Sequence, residues 1–115
     1  MTVTIHGIKA CDTMKKARDW LEAHGVAATF HDYKVVGVDR AMLERWCGQV
    51  GWETLLNRAG TTFRRLPDAD RADLNEARAI ALMLAQPSMI KRPVLDRDGQ
   101  LVVGFRPEVY AKAFG

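Results

Sequence analysis

The chain has 115 residues, a length typical of one domain with a single hydrophobic core. Hydrophobic residues make up 48% of it, charged residues 27%, and the formal net charge is only +3. This balance indicates a globular protein and gives no reason to expect nucleic acid as a direct partner. Without a long apolar run or a signal-peptide core, we expect no membrane segment and a cytoplasmic location.

A strand, a cysteine loop and a helix open the chain. Residues 2–6 alternate polar and apolar side chains, which predicts a strand. An apolar stripe at helical spacing follows Thr13, a candidate N-cap, and ends at His24-Gly25. Residues 28–33 are rich in β-forming side chains and predict a second strand. Because a helix joins the two strands, they should pair in parallel.

The middle of the chain, about residues 38–88, is predicted to be an all-helical insert. Gly37-Val38-Asp39 opens one helix, which Gly51 ends, and a short helical piece follows. Residues 57–64 are expected to form a loop or turn. A longer helix is predicted at about residues 71–86.

Two short strands and a final helix close the chain. Asp98-Gly99 between apolar runs predicts a hairpin, and Arg106-Pro107 begins a helix. The predicted order is β-α-β, helical insert, β-β-α. That is the layout of an α/β, thioredoxin-like fold with a mixed four-stranded sheet, and we expect residues 1–115 to form one such domain.

Cys11 is the first candidate for chemistry. It lies between a strand and a helix, where backbone N–H groups and the helix dipole stabilise an anion. Lys9, Lys15 and Lys16 add positive charge nearby, so the pKa of the thiol should be low. A thiolate in this position is a candidate nucleophile. The alternative is a buried, inert cysteine.

The loop offers one thiol, because Met14 occupies the position of the second cysteine in a Cys-x-x-Cys pair. Any disulfide chemistry would then need a resolving sulfur from glutathione or from a partner protein. Cys47 is the only internal alternative, but it lies on an apolar stripe beside Trp46, which favours packing. The two cysteines and three histidines lack ligand spacing, so no metal site is expected.

Three arginines form the second group of candidates: Arg58, Arg92 and Arg106. Each is at the edge of a predicted element, where a planar guanidinium can bind an anion. The alternative for each is a solvated or structurally paired side chain. Pro93, which follows Arg92, is a candidate cis proline.

Taken together, these motifs resemble the arsenate reductase family of ArsC, Spx and YffB proteins, and most of all its YffB-like branch. The cysteine loop is similar across residues 7–17, GIKACDTMKKA, and a second similar stretch is residues 60–64, GTTFR. Arg58, Arg92 and Arg106 match the three arginines that bind oxyanion in the arsenate reductases.

The resemblance implies a thioredoxin-like fold and a mechanism. Cys11 would attack an electrophilic centre, and glutathione or glutaredoxin would then attack the adduct. Pro93 would be cis and face the cysteine, while Lys9, Asp12 and Thr13 would support the loop. No tightly bound cofactor is implied.

Arsenate reductases carry a histidine where this chain has Gly7. We therefore keep two substrate classes open: an oxyanion such as arsenate, and a thiol substrate in the form of a disulfide or a glutathionylated thiol.

The Spx branch offers a second hypothesis, an interaction protein that binds RNA polymerase and regulates transcription. Those regulators often use a Cys-x-x-Cys switch, which Met14 removes here. Three retained arginines favour the enzyme.

Overall fold

The computed structural model describes residues 2–9 and 11–114. Ala10, which belongs to the cysteine-loop motif, lies outside the described residues. The elements in chain order are β1 (Val3–Gly7), α1 (Asp12–Ala23), β2 (Thr29–Asp32), α2 (Arg40–Val50), α3 (Trp52–Leu55), α4 (Thr61–Arg64), α5 (Asp68–Arg71), α6 (Glu76–Ala85), a 3₁₀ turn (Pro87–Met89), β3 (Val94–Arg97), β4 (Gln100–Val103) and α7 (Pro107–Phe114).

The chain divides into two compact units. The first comprises Met1–Val36 and Arg92–Gly115, and the second comprises Gly37–Lys91. The first unit contains the four strands with α1 and α7, and the second contains α2 to α6. The single domain of residues 1–115, with an insert at about 38–88, stays a prediction.

The strands of the first unit form one sheet in the order β2-β1-β3-β4. β1 pairs in parallel with β2, and the β1–β3 and β3–β4 pairs are antiparallel. The mixed four-stranded sheet of a thioredoxin-like fold is therefore confirmed. The hairpin is confirmed as well, because Asp98 (φ 52°) and Gly99 (φ 92°) both adopt the left-handed conformation that a two-residue turn of type I′ requires.

The core of the first unit lies on one face of the sheet. Alternate strand residues Val3, Ile5 and Leu95 are at most 3% exposed and pack with Met14 and with other side chains of α1 and α7. Burial of such side chains contributes about 1.5–3 kcal/mol each. This packing fixes α1 against the sheet and thus sets the position of the residue that begins the helix.

Two predictions in the helical region are wrong. Residues 61–64, expected to form a loop, are the helix α4. The single long helix predicted at residues 71–86 is broken, because Asp73 has a φ of 50° and α6 begins only after Asn75. The Asn75 side chain accepts a hydrogen bond from the Arg78 N–H at 2.9 Å, so it caps α6.

The start and end of α2 are confirmed. The Asp39 carboxylate accepts a hydrogen bond from the Met42 N–H at 2.7 Å and caps the helix. Gly51, at a φ of 86°, ends it. Within the described residues, no helix combines the length and apolar character needed to cross a membrane.

Candidate active site

Several candidate residues emerge at the same end of the sheet. The loop carrying Cys11 leaves the carboxyl end of β1, where His6 pairs with Val94 near the start of β3. Arg92 and Pro93 immediately precede Val94. The Gly104 N–H donates to the Pro93 carbonyl at 2.8 Å, which joins the end of β4 to the same region. Sheet pairing therefore brings distant parts of the sequence to one place.

Cys11 is the N-cap residue of α1. Its backbone is extended, with φ −144° and ψ 127°, and its carbonyl accepts the first helical hydrogen bond from the Lys15 N–H at 3.0 Å. Thr13 was predicted as the cap, and this is wrong because the helix already begins at Asp12. The sulfur thus takes the cap position, beside backbone N–H groups that have no helical partner.

The environment lowers the pKa of the Cys11 thiol from its ordinary value of 9.0. Burial alone would raise that pKa. The backbone N–H groups of Met14 and Thr13, together with a hydrogen bond and the positive charge from Arg92, outweigh burial. The Cys11 side chain makes no capping hydrogen bond. These donors therefore act mainly by stabilising the thiolate. A half-buried thiolate with its own cation is a competent nucleophile.

Arg92 is the cation that the structure places against Cys11. It is half-buried and comes directly before Pro93, and the Arg92–Pro93 peptide bond is cis. The cis bond agrees with the expectation from the resemblance. A guanidinium here can stabilise the thiolate and can also bind an anionic substrate beside it.

Four other predicted site residues are exposed to solvent. Arg106 is exposed and precedes α7, and its carbonyl accepts hydrogen bonds from the first turn of that helix. Arg58 belongs to the second unit, is exposed, and holds its guanidinium carbon 5.7 Å from the centre of the Trp52 ring. Lys9 and Asp12 are exposed next to the cysteine. The binding roles of these side chains stay predictions.

The Met14 side chain occupies the space that a side chain at position 7 would need. A Cβ atom at Gly7 would lie 2.2 Å from the Met14 sulfur and 2.7 Å from its methyl group. Met14 is fully buried, so its flexible end has no open space to move into. The residue that stands in place of a second thiol therefore also favours glycine at position 7.

We expect Gly7→Ala to lower the free energy of unfolding by about 1–3 kcal/mol, because the added methyl group overpacks the core. Urea unfolding measures this. Gly48→Ala is the matched control, since a Cβ at this helical glycine meets nothing within 4 Å and should be neutral or stabilising. Equal stabilities for the two variants would contradict the predicted clash.

Sequence reasoning missed a buried cluster beside the site. The His6 ring lies 4.8 Å from the His31 ring and 6.5 Å from the Tyr33 ring, measured between centroids. Burial, with a smaller effect from His31, lowers the pKa of His6 to about 4, so His6 is neutral at physiological pH. Strand alternation at the end of β2 is the signal that could have identified Tyr33.

The second cysteine is poorly suited to react. Cys47 is 4% exposed, and burial raises the pKa of its thiol. A buried thiol with a raised pKa is rarely deprotonated and is hard to reach. Across residues 2–9 and 11–114, no group of three or more His, Cys, Asp or Glu side chains is arranged to hold a metal ion.

Comparisons with known proteins give a consistent result. The sequence pattern of the ArsC family matches residues 6–113. A solved structure of the YffB protein is 65% identical, with a TM-score of 0.96, covering 99% of this chain and 100% of that one. An arsenate reductase (ArsC) related protein from Brucella melitensis is 62% identical, with a TM-score of 0.81, covering 99% of this chain and 95% of that one. The global transcriptional regulator Spx of Streptococcus mutans is 26% identical, covering 92% of this chain and 78% of the regulator.

Proposed function

Because the chain belongs to the ArsC family, we propose that it is a monothiol oxidoreductase with the Cys11 thiolate as nucleophile and glutathione as co-substrate. One observation carries the proposal. Cys11 is the N-cap residue of α1, and backbone N–H groups of that helix together with Arg92 lower the pKa of its thiol. A lowered pKa favours the thiolate, which is the form of cysteine that attacks electrophiles.

The proposed reaction has two displacement steps. The Cys11 thiolate attacks one sulfur of a disulfide or glutathionylated thiol, the substrate's S–S bond breaks, and the departing thiolate takes up a proton. Cys11 is left in a mixed disulfide. A thiolate from glutathione or glutaredoxin then attacks the other sulfur of that mixed disulfide and releases the Cys11 thiolate. In sum, one incoming thiol of glutathione or glutaredoxin ends in the product disulfide, the departing part of the substrate leaves as a thiol, and Cys11 is regenerated.

Met14 supports a monothiol mechanism. A Cys-x-x-Cys enzyme resolves its mixed disulfide with its own second thiol. Here that position holds a fully buried methionine, and Cys47 is itself buried. The second sulfur must then come from another molecule, and we propose glutathione or glutaredoxin.

We propose a disulfide or glutathionylated thiol as the substrate, ahead of arsenate. Gly7 stands where arsenate reductases carry a histidine, and Met14 fills the space beside it. Arg92 suits either substrate, because its guanidinium can bind an arsenate oxyanion or a glutathione carboxylate.

Turnover assays with glutathione and glutaredoxin test this proposal. The purified protein should reduce the mixed disulfide of glutathione and β-mercaptoethanol, and much less arsenate. Arsenate reduction as the faster reaction would move the substrate assignment to the oxyanion. No turnover of either substrate would contradict the enzyme proposal.

We expect Arg58→Ala and Arg106→Ala each to weaken oxyanion binding by about 1–3 kcal/mol if each donates a charged hydrogen bond. Calorimetric titration with arsenate measures this. Arg40→Ala, which removes another exposed arginine, is the matched control and should leave affinity unchanged. If neither variant differs from this control, the two arginines do not belong to the site.

Regulation of transcription is the competing proposal, and the similarity to Spx favours it. The resemblance implies that such regulators often use a Cys-x-x-Cys switch, and this chain has a methionine at the second position. A pull-down with purified RNA polymerase distinguishes the proposals. Polymerase binding by a protein without thiol turnover would favour the regulator.

A further inference from the structure

An open pocket in the first unit lies between the cysteine loop and the exposed side of α1. Its volume is about 350 Å³, which is within the range of small-molecule binding sites. The side chains that line it are all charged, which indicates a charged ligand. They are Lys9, Lys15, Arg18, Asp19 and Glu22.

Helix α1 brings this pocket within reach of Cys11. Lys15, Arg18 and Glu22 follow Cys11 at intervals of four, seven and eleven residues, so they form one stripe along the helix. The Lys15 N–H donates to the Cys11 carbonyl at 3.0 Å. Arg18 follows about 10 Å further along the helix axis than Cys11, and an extended tripeptide spans about 10 Å as well. A tripeptide held at the sulfur therefore overlaps the pocket.

The charges of the pocket are available to a ligand. The Arg18 guanidinium carbon lies 4.7 Å from the centre of the Phe30 ring, a contact that holds the side chain at the surface. Within residues 2–9 and 11–114, none of the five lining side chains forms a hydrogen bond or an ion pair. Unpaired groups of both signs in one pocket suit a ligand that itself carries both signs.

We propose that this pocket is the glutathione subsite of Cys11. The inference deepens the proposed function and rests on it. Glutathione carries two carboxylates and one ammonium group at neutral pH, and the pocket offers three cations and two carboxylates. Lys15 and Arg18 bind the carboxylates of glutathione, and Asp19 and Glu22 bind its ammonium group.

The subsite acts in the step that forms the mixed disulfide with oxidised glutathione. The Cys11 thiolate attacks one sulfur, the S–S bond of oxidised glutathione breaks, and the departing glutathione thiolate takes up a proton. The retained glutathione is then bonded to Cys11 and lies along α1. The pocket thereby favours glutathione over disulfides that lack its charges.

Rates of mixed-disulfide formation test the proposal. They are followed by mass spectrometry with oxidised glutathione and with the disulfide of β-mercaptoethanol, which has no charged group. Because both react with the same thiolate, the ratio of the two rates cancels any change in the pKa of Cys11. We expect Lys15→Ala/Arg18→Ala to lower this ratio about fivefold, since exposed charge pairs are individually weak. Added salt should lower the ratio of the unmodified protein in the same direction.

Arg97→Ala/Lys112→Ala is the matched control. It removes one arginine and one lysine of the first unit that do not line the pocket. The Arg97 guanidinium also lies on a phenylalanine, 5.6 Å from the centre of the Phe114 ring. We expect an unchanged ratio for this variant. An equal fall in both double variants would overturn the proposal, since net charge alone would then explain it. Urea unfolding verifies that each variant is folded.

Acetylation of the ammonium groups of oxidised glutathione tests the two carboxylates. The acetylated disulfide should react more slowly with the unmodified protein, and Asp19→Asn/Glu22→Gln should abolish that difference. An acetylated disulfide that reacts as fast as oxidised glutathione, or faster, would overturn the assignment of Asp19 and Glu22.

The same rates separate this inference from the proposed function. A protein that forms an adduct with neither disulfide would contradict the proposed function itself. Adducts with both, at a ratio that Lys15→Ala/Arg18→Ala leaves unchanged, would overturn the subsite and leave the Cys11 proposal standing.

Discussion

Replacing Cys11 with serine is expected to lower glutathione–disulfide exchange to the background rate of the uncatalysed reaction. A serine hydroxyl is not ionised at neutral pH and cannot form a mixed disulfide, so both steps are lost. Turnover of the mixed disulfide of glutathione and β-mercaptoethanol measures this. The variant should stay folded, because Cys11 is half-buried and makes no capping hydrogen bond through its side chain.

Cys47→Ala is the matched control for that result. The cysteine is 4% exposed, and alanine leaves a small cavity there that costs some stability. Because the thiol is buried and the pKa is raised, we expect exchange activity close to that of the wild type. A Cys11→Ser protein that still turns over, or a Cys47→Ala protein that is inactive while folded, would contradict the assignment of the nucleophile.

Removing Arg92 has the second-largest expected effect. Arg92→Ala takes away the hydrogen bond and the positive charge that hold the pKa of Cys11 down, and leaves the burial that raises it. The reactivity profile should therefore move to higher pH. At pH 7 we expect alkylation by iodoacetamide to slow about tenfold, as for the loss of a nearby opposite charge. Since thiolate forms only as pH rises through the pKa, the difference should disappear in alkaline solution.

Two variants make the Arg92 measurement specific. Arg97→Ala removes the same charge from the far end of β3, where the Arg97 guanidinium lies 5.6 Å from the centre of the Phe114 ring, and should leave the profile unchanged. Arg92→Lys keeps the charge but loses the planar group of donors, so it should fall between wild type and alanine. An Arg92→Ala profile identical to that of Arg97→Ala would exclude Arg92 from activation of the thiol.

Local chemistry explains which parts of the fold could be predicted from sequence. Asp39 and Gly51 bound α2, and Asp98-Gly99 makes the hairpin, because each acts on its own backbone. The break at Asp73 was not predictable in the same way. The helical pattern runs through residues 71–86, and nothing in it signals a residue with positive φ.

The site could be predicted only in part for a similar reason. Cys11 was identifiable because the strand, loop and helix around it are contiguous in the sequence. Its contact with Arg92 depends on β3 pairing antiparallel with β1, which composition and spacing do not reveal. The burial of Tyr33 likewise depends on tertiary packing, and the fit of Met14 against Gly7 appears only when α1 is placed against the sheet.

We propose that Cys11 is the one thiol that reacts and that its partner is glutathione. Mass spectrometry of the unmodified protein after incubation with oxidised glutathione tests this most directly. We predict one added glutathione, mapped by peptide analysis to Cys11, and released by reduced glutathione. An adduct on Cys47, or no adduct while the protein is folded and reduced, would contradict the claim.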